Sequence, residues 1–398
     1  MINLELPTHL ENLQAMMHAV AKDLFRPISR KYDTNEHAVP EELAVIDRRK
    51  HRGVLERGSD RKKKDGKPEG IRNAGNMATV VSVTEMCWGD VGLMLSVPGA
   101  GLGNAAIDAV ATPEQKERFG NAYASMAITE PASGSDSGSI GTTAVLDGDE
   151  WVLNGEKIFV TAGGRCDHVV VWATLDKNKG KAAIKSFVIP VGTQGMELVG
   201  LEHKLGIRAS DTATIRLTDC RIPKDNILGK AEISEGDKKG AFGKVMQTFD
   251  NTRPAVAAMA LGCGRAALDM TYELLGPDFK LGYNKPRWEM NALEAELLRM
   301  EADWESARLL TLRAAYMADN KEPNSMEASM AKAKAGRVGN AITLRCVELC
   351  GSLGYGQDNL LEKFARDSKI LDIFEGTQQI QQLIVARRLL NKSSAELK

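Results

Sequence analysis

The hydrophobic period of this chain is helical to about residue 122, β-like to about residue 232, and helical again from about residue 240. This double switch limits the fold more than any single motif does. Strands that alternate with helices build a parallel sheet wrapped in helices; strands kept together between two helical stretches build a β layer with helices beside it. No long helical pattern interrupts the β stretch, so it reads as an antiparallel β domain. The long helices that follow, joined by short connections, read as a bundle. The expected fold class is α+β, mainly α. It has an N-terminal helical domain over residues 1–121, a middle β domain over 122–232 and a C-terminal four-helix bundle over 233–398. A chain of 398 residues has room for two or three domains.

Local patterns fill in this outline. Leu10, Leu13, Met17, Val20 and Leu24 form one helical stripe, which Pro27 is expected to end. A second helix is expected near residues 41–49, and helical character returns over about 74–111 with a break at Pro98-Gly99. Residues 151–160 read as two strands joined at Asn154-Gly155, the strongest short hairpin signal. Residues 169–175 and 186–191 are apolar strands, and residues 212–222 alternate. Three long stripes then follow: Ala260 to Leu274, stopped by Gly276-Pro277; Leu293, Leu297, Met300 and Trp304; and Val338, Ile342, Cys346 and Leu349, stopped by Gly351. Ile380, Leu383 and Ile384 begin a fourth.

Charge and cysteine content exclude several classes. The 52 basic side chains nearly cancel 53 acidic ones, which argues against nucleic acid held by global charge. No apolar run approaches the roughly 18 residues of a membrane span. The first fifteen residues carry no Arg or Lys, so no leader peptide is expected. The six cysteines are scattered, and there is no HExxH, phosphate loop or Cys/His cluster, so neither a disulfide framework nor a metal site is expected. A reducing, cytoplasmic setting is the expectation. The basic, breaker-rich run over 57–70 reads as a solvated loop or as a docking patch for an acidic partner or a phosphate.

Four segments carry residue types suited to chemistry. Ala127-Ile-Thr-Glu-Pro-Ala-Ser-Gly-Ser-Asp136 combines small residues with hydroxyls, and both a ligand loop and a solvated turn are open. On Gly155-Glu-Lys-Ile-Phe-Val-Thr161, Phe159 and Thr161 share one strand face, able to support a flat ring or simply to pack. Phe249-Asp-Asn-Thr-Arg-Pro254 reads as a helix start, with Pro254 in the first turn and Arg253 available to a site. Arg366-Asp-Ser-Lys-Ile-Leu-Asp-Ile-Phe-Glu-Gly-Thr-Gln-Gln-Ile380 places Glu375 before a helix that Thr377 can cap. The helix dipole would lower the affinity of Glu375 for a proton and an apolar pocket would raise it; both readings stay open. Gly101-Leu-Gly-Asn-Ala-Ala106 matches a loose dinucleotide pattern, but Pro98-Gly99 stands where a strand should be.

Together these segments resemble the acyl-CoA dehydrogenase family over nearly the whole chain. Thr129-Glu-Pro-Ala-Ser-Gly-Ser-Asp136 is similar to its flavin loop. Asn154-Gly-Glu-Lys157 and Val160-Thr161 resemble its flavin strand. Arg208-Ala-Ser-Asp-Thr212, Ile222-Pro223 and Asn226-Ile-Leu-Gly229 resemble its closing β segment, and Phe374-Glu-Gly-Thr377 the segment around its base. The resemblance implies FAD, an acyl-CoA substrate and α,β-dehydrogenation. Glu375 would remove the α-proton while flavin N5 takes the β-hydride, with the Glu375 N–H as one donor to the thioester oxygen. The family's other base position falls on Thr252, which is not acidic, so the arrangement resembles the straight-chain type. By the same likeness, Thr129, Gly134, Ser135, Phe159, Val160 and Thr161 would hold the flavin ring. Gly376, Thr377 and Gln379 would meet its phosphate region. Ser135, Thr174, Asp250, Thr252 and Arg253, with Glu375 and Gly376, would border the substrate.

The resemblance also implies a homotetramer built as a dimer of dimers, or a mixed tetramer, with electron-transfer flavoprotein as partner and fatty acid metabolism as setting. FAD contacts across the dimer would fall on Lys280, Tyr283, Asn291, Glu348, Gly351 and Ser352. Here the sequence departs from the family pattern: Lys280 stands where an Arg is usual and Glu348 where a Gln is usual, and a Lys280–Glu348 pair is expected to balance the charge. The rival readings are an acyl-CoA oxidase on the same fold and a non-catalytic acyl-CoA-binding subunit.

Overall fold

A computed structural model of the chain describes residues 5–47, 75–99, 101–233, 241–393 and 396, with 241–251 as helix backbone only. The basic run over 57–70 lies outside the described residues.

Helices α1 (Thr8–Val20) and α2 (Arg26–Thr34) are continuous through a π-helical turn, Ala21–Phe25. Pro27 therefore does not end the first helix. It sits in the first turn of α2, where its missing N–H is needed least. The helix expected near 41–49 is a 3₁₀ turn, Glu41–Ile46. α3 (Gly75–Gly89), α4 (Val91–Leu95), α5 (Leu102–Val110) and α6 (Pro113–Phe119) follow. Thr112 caps α6 in a reciprocal arrangement with Gln115.

The sheet comprises β1 (Ala124–Ala127), β2 (Thr143–Asp147), β3 (Glu150–Thr161), β4 (His168–Thr174), β5 (Ile184–Pro190), β6 (Met196–Leu201) and β7 (Thr212–Pro223). Its order is β1-β4-β2-β3-β7-β6, with β5 also pairing β4. The pairings are antiparallel except that β1 and β2 each run parallel to β4. β4 reads as one apolar run because both its faces are buried. Val169 and Val171 join Trp151, Phe187 and Ile215 on one side, while Val170 and Trp172 join Ile107, Phe119 and Leu228 on the other.

The hairpin turn is not at Asn154-Gly155. β3 runs straight through that pair, and the β2–β3 turn is at Gly148-Asp149, between the paired Asp147 and Glu150. Asn154-Gly155 instead forms a bulge against β7, with Asn154 exchanging two hydrogen bonds with Asp219. Gly155 is required there: φ is +153°, and a Cβ would lie 2.4 Å from the Thr142 hydroxyl.

The long helices are α7 (Ala241–Leu275), α8 (Ala292–Asp319), α9 (Ser325–Cys350) and α12 (Gln378–Leu390), with short α10 (Ser352–Tyr355) and α11 (Leu361–Ser368) between the last two. Pro254 is not a helix start, because α7 passes through it. An interior proline costs about 3 kcal/mol; Val256, Ala257, Ala258, Ala260 and Leu261 just beyond it are all buried, and this packing holds the helix on both sides. α3 and the bundle share one core, and a Cβ on Gly262 of α7 would lie 2.1 Å from the Thr84 carbonyl. A buried cluster ties the layers together. Lys363 of α11 pairs with Asp367 and, at 2.7 Å, with Asp90, while Asp367 accepts the Ile207 N–H of the β layer. All six cysteines are unpaired, and no helix among the described residues is long and apolar enough to cross a membrane.

Candidate active site

Two of the motif segments are joined by a buried ion pair. The Lys157 ammonium, on β3 and 0% exposed, donates to Glu130 at 2.7 Å and to the Ile128 carbonyl at 3.0 Å. Glu130 also accepts the N–H groups of Gly141 and Thr142 and the Thr142 hydroxyl. Burial opposes ionisation of Glu130, but the hydrogen bonds from Lys157 and Thr142 hold its carboxyl below the usual range. Burial lowers Lys157 to about 8 against the opposing pull of Glu130. The pair anchors the 129–136 loop on β3, as does the Ile158 N–H bonding to the Thr129 carbonyl at 2.9 Å. The carboxylate and ammonium within the two motifs are thus structural; Ser133 is buried with its hydroxyl donating to the Asp136 carbonyl, while other small residues of the loop face outward. Gly134 and Ser135 are exposed, and Thr129 is half-buried.

A second bulge, between Lys157 and Val160, breaks the β3 alternation. Phe159 takes φ +57° and is 59% exposed, Val160 turns into the core, and Thr161 is half-buried. Phe159 and Thr161 therefore do not share a regular strand face; the bulge re-aims the aromatic. Thr174, at the end of β4, is buried, and its hydroxyl accepts the Asp176 N–H.

The residues around Glu375 converge from three helices. Glu375 follows a 3₁₀ turn (Lys369–Asp372) that lies close on α9, where a Cβ on Gly336 would meet the Leu371 carbonyl at 2.9 Å. Its backbone is left-handed, φ +56°, and Gly376 is at φ +91°. Thr377 then caps α12, its hydroxyl accepting the Ile380 N–H. Thr252 donates to the Glu375 carboxylate at 3.2 Å. Burial pushes the Glu375 carboxyl above the ordinary range, while the Thr252 hydroxyl and the charges of Arg253 and Lys332 pull it back. Among the described residues no acceptor takes the Glu375 N–H. Gln381 donates to the Glu375 and Gly376 carbonyls at 3.0 and 3.1 Å, and Lys332 donates to the Gly376 carbonyl at 2.6 Å. Neither Gln381 nor Lys332 stands out in the sequence. Gln379 is exposed on the first turn of α12, and the Asp250 side chain lies outside the described residues.

The remaining candidates gather at another edge of the bundle. Asn291 caps α8 with Glu294, and Glu294 also pairs with Lys285 at 3.0 Å. Tyr283 is largely exposed. Glu348, near the end of α9, pairs with Arg345, which also binds Glu296 of α8 at 2.6 Å. The expected Lys280–Glu348 pair is therefore absent; Arg345, one turn before Glu348 on the same helix, takes its place. Gly351 ends α9 at φ +55°, and Ser352 begins α10. A cavity of about 120 Å³ between α1, α3, α7 and α8, bounded by Val80, Trp88, Leu261 and Trp304, contains none of these residues.

Family profiles described as the acyl-CoA dehydrogenase middle and C-terminal domains match residues 125–220 and 241–390. The chain is 36% identical to a mitochondrial short-chain specific acyl-CoA dehydrogenase of Bos taurus, over 98% of this chain and 92% of that one. It is 34% identical to a subunit of the caffeyl-CoA reductase–Etf complex of Acetobacterium woodii, over 72% of this chain and 73% of that one. Among solved structures, butyryl-CoA dehydrogenase from Megasphaera elsdenii superposes with a TM-score of 0.82 at 27% identity, covering 98% of this chain and all of that one.

Proposed function

This chain belongs to the acyl-CoA dehydrogenase family, whose members are FAD-dependent flavoproteins, and on that premise we propose that it desaturates a short acyl-CoA between Cα and Cβ with Glu375 as the base. The observation that carries this reading is the Glu375 environment. Its carboxylate is half-buried and raised by that burial, and its own N–H is left for a ligand.

The residues present fit FAD. The bulge at Phe159 offers a flat aromatic held out of the core, and the 129–136 loop beside it offers small residues and exposed hydroxyls, suited to a planar ring with polar edges. Thr129, Gly134, Ser135 and residues 159–161 would hold the ring, and Gly376, Thr377 and Gln379 at the α12 N-terminus would meet its phosphates. When bound, FAD supplies the two-electron acceptor for the β-hydride.

The work left to the chain is proton removal. A thioester α-proton is far too weakly acidic for a bare carboxylate, so negative charge moving onto the thioester oxygen needs a fixed donor. The Glu375 N–H is that donor. The Cα–H bond breaks, the proton passes to the Glu375 carboxylate, and the product is a 2-enoyl thioester. Burial raises the proton affinity of the carboxylate and so favours its role as acceptor. Thr252 and Arg253 oppose that burial and favour the ionised form of the carboxylate.

Similarity to proteins named short-chain specific supports a short acyl group, and similarity to a subunit of an Etf complex supports electron-transfer flavoprotein as the oxidant. Exposed Tyr283, Trp288, Leu344, Leu353 and Tyr355 on the bundle support assembly into the proposed homotetramer. The test is anaerobic addition of butyryl-CoA to the purified yellow protein. The flavin is expected to bleach, and Glu375→Gln is expected to keep the flavin and bind butyryl-CoA without bleaching. Bleaching by the variant at the wild-type rate moves the base elsewhere; peroxide release in air would make the protein an oxidase.

A further inference from the structure

Beneath Glu375 lies a buried cation that the proton transfer does not consume. Lys332, on α9, is 0% exposed and gives its hydrogen bond to the Gly376 carbonyl at 2.6 Å. Three charged groups face its ammonium: Asp372 of the 3₁₀ turn, Glu375, and Arg253 of α7. Burial lowers it to about 8, with the two carboxylates opposing and Arg253 adding to the effect, so it is protonated at neutral pH. A buried ammonium is costly unless its surroundings use the charge. Here it is placed beside a carboxylate that burial pushes toward neutrality and a peptide whose backbone is strained.

The strain is local. Glu375 has a side chain and yet is left-handed, a conformation that L-residues other than glycine adopt only under strain. Left alone it would relax, and the N–H and the carboxylate would lose their fixed relation. Lys332 and Gln381 hold the Gly376 carbonyl from α9 and α12, and Gln381 holds the Glu375 carbonyl as well.

We propose that Lys332 is a positioning residue for the base: its ammonium clamps the Gly376 carbonyl, fixing the left-handed Glu375 backbone, and its positive charge acts on the Glu375 carboxylate. This rests on the reading of Glu375 as base. The two duties separate by substitution, because Gln381 shares the clamp but not the charge.

The experiment uses the FAD-loaded protein and compares Lys332→Met, Lys332→Gln and Gln381→Leu with Glu375→Gln. Lys332→Met is expected to lower kcat by about 10²-fold at nearly constant KM and to move the acid limb of the kcat/KM profile up by roughly one pH unit. Lys332→Gln keeps a donor without the charge, so it is expected to move the limb as far while losing less kcat. Gln381→Leu is expected to lower kcat and leave the limb in place. Calorimetric binding of a non-oxidisable thioether analogue of butyryl-CoA should stay within a few-fold of wild type in all of them. An unmoved acid limb in both Lys332 variants overturns the charge role, and wild-type kcat in Lys332→Met and Gln381→Leu overturns the clamp. Either result with an inactive Glu375→Gln leaves the base in place, whereas an active Glu375→Gln removes the base whatever Lys332 does.

Discussion

The Thr252 hydroxyl donates to the Glu375 carboxylate at 3.2 Å, joining the middle of α7 to the loop before α12 across 123 positions of sequence. The distance is long for a hydroxyl–carboxylate bond, so its contribution is modest. It nonetheless favours the ionised form, in company with Arg253 and Lys332 and against burial. Thr252→Val keeps the shape and removes the donor. The acid limb of kcat/KM should then rise by about half a pH unit, while kcat well above the limb stays within about threefold of wild type. A pH profile measured on both proteins decides it, and an unmoved limb means the hydroxyl does not engage the carboxylate in solution.

The same raised carboxyl has a cost in stability whose sign is fixed by linkage. Relative to its ordinary value of 4.5, Glu375 holds its proton more tightly when folded. The folded state therefore binds more protons than the unfolded state between 4.5 and the raised value, and stability falls as pH rises through that window. Below it the penalty is absent; above it the penalty is complete. Glu375→Gln, which carries no charge to desolvate, should be more stable than wild type at pH 8, with the gain vanishing below about pH 4.5. Urea unfolding of the two apoproteins at several pH values measures this. A variant less stable at pH 8 would show that the carboxylate is better satisfied than burial implies.

The helix–sheet–helix outline, the long bundle helices and the Phe374–Thr377 segment as a place of interest were legible in the sequence because periodicity and short motifs are local. What joins the motifs was not. Glu130 and Lys157 each belong to a recognisable segment, yet nothing local says that the two side chains meet in the protein interior. Lys332 and Gln381 sit inside ordinary helical patterns, and only the packing of α9 and α12 against the 375–376 peptide gives them a role. The local signals that misled were outweighed by tertiary contacts. Asn154-Gly155 became a bulge because β3 continues along β7 and must pass Thr142 closely. Pro254 became a helix-interior residue because buried neighbours hold α7 together across the missing hydrogen bond.

The Glu130–Lys157 pair predicts a coupled stability effect. Lys157→Met leaves Glu130 buried with the Gly141 and Thr142 donors but without its cation. Breaking a buried pair on one side costs about 3–5 kcal/mol. Glu130→Gln with Lys157→Met removes both charges and should cost markedly less than the sum of the single changes. Because the pair pins the 129–136 loop to β3, the single Lys157 variant should also lose FAD on dialysis faster than wild type. Additive single and double costs in thermal unfolding would show that the two charges are not in contact.

Gly376 separates strain from contact in the base loop. Its φ is +91°, and a Cβ there would lie 2.5 Å from the Gln381 amide nitrogen. Gly376→Ala therefore does two things: it places a side chain where L-residues are strained, at about 1–2 kcal/mol, and it pushes away the amide that holds the Glu375 and Gly376 carbonyls. The expected result is a folded protein, destabilised by about 2 kcal/mol, with kcat lowered about 10²-fold and analogue binding within a few-fold of wild type. Gln381→Ala made in the same chain opens space for the new methyl group, so the double variant should recover part of the stability while kcat stays low, since the Glu375 carbonyl has lost its donor and the Gly376 carbonyl keeps only Lys332. Residues in contact are expected to deviate from additivity by 0.5–3 kcal/mol, and here the sign is favourable in stability alone. Recovery of kcat along with stability would mean that Gln381 does not hold the base loop, and that the left-handed peptide at Glu375 is fixed by Lys332 without it.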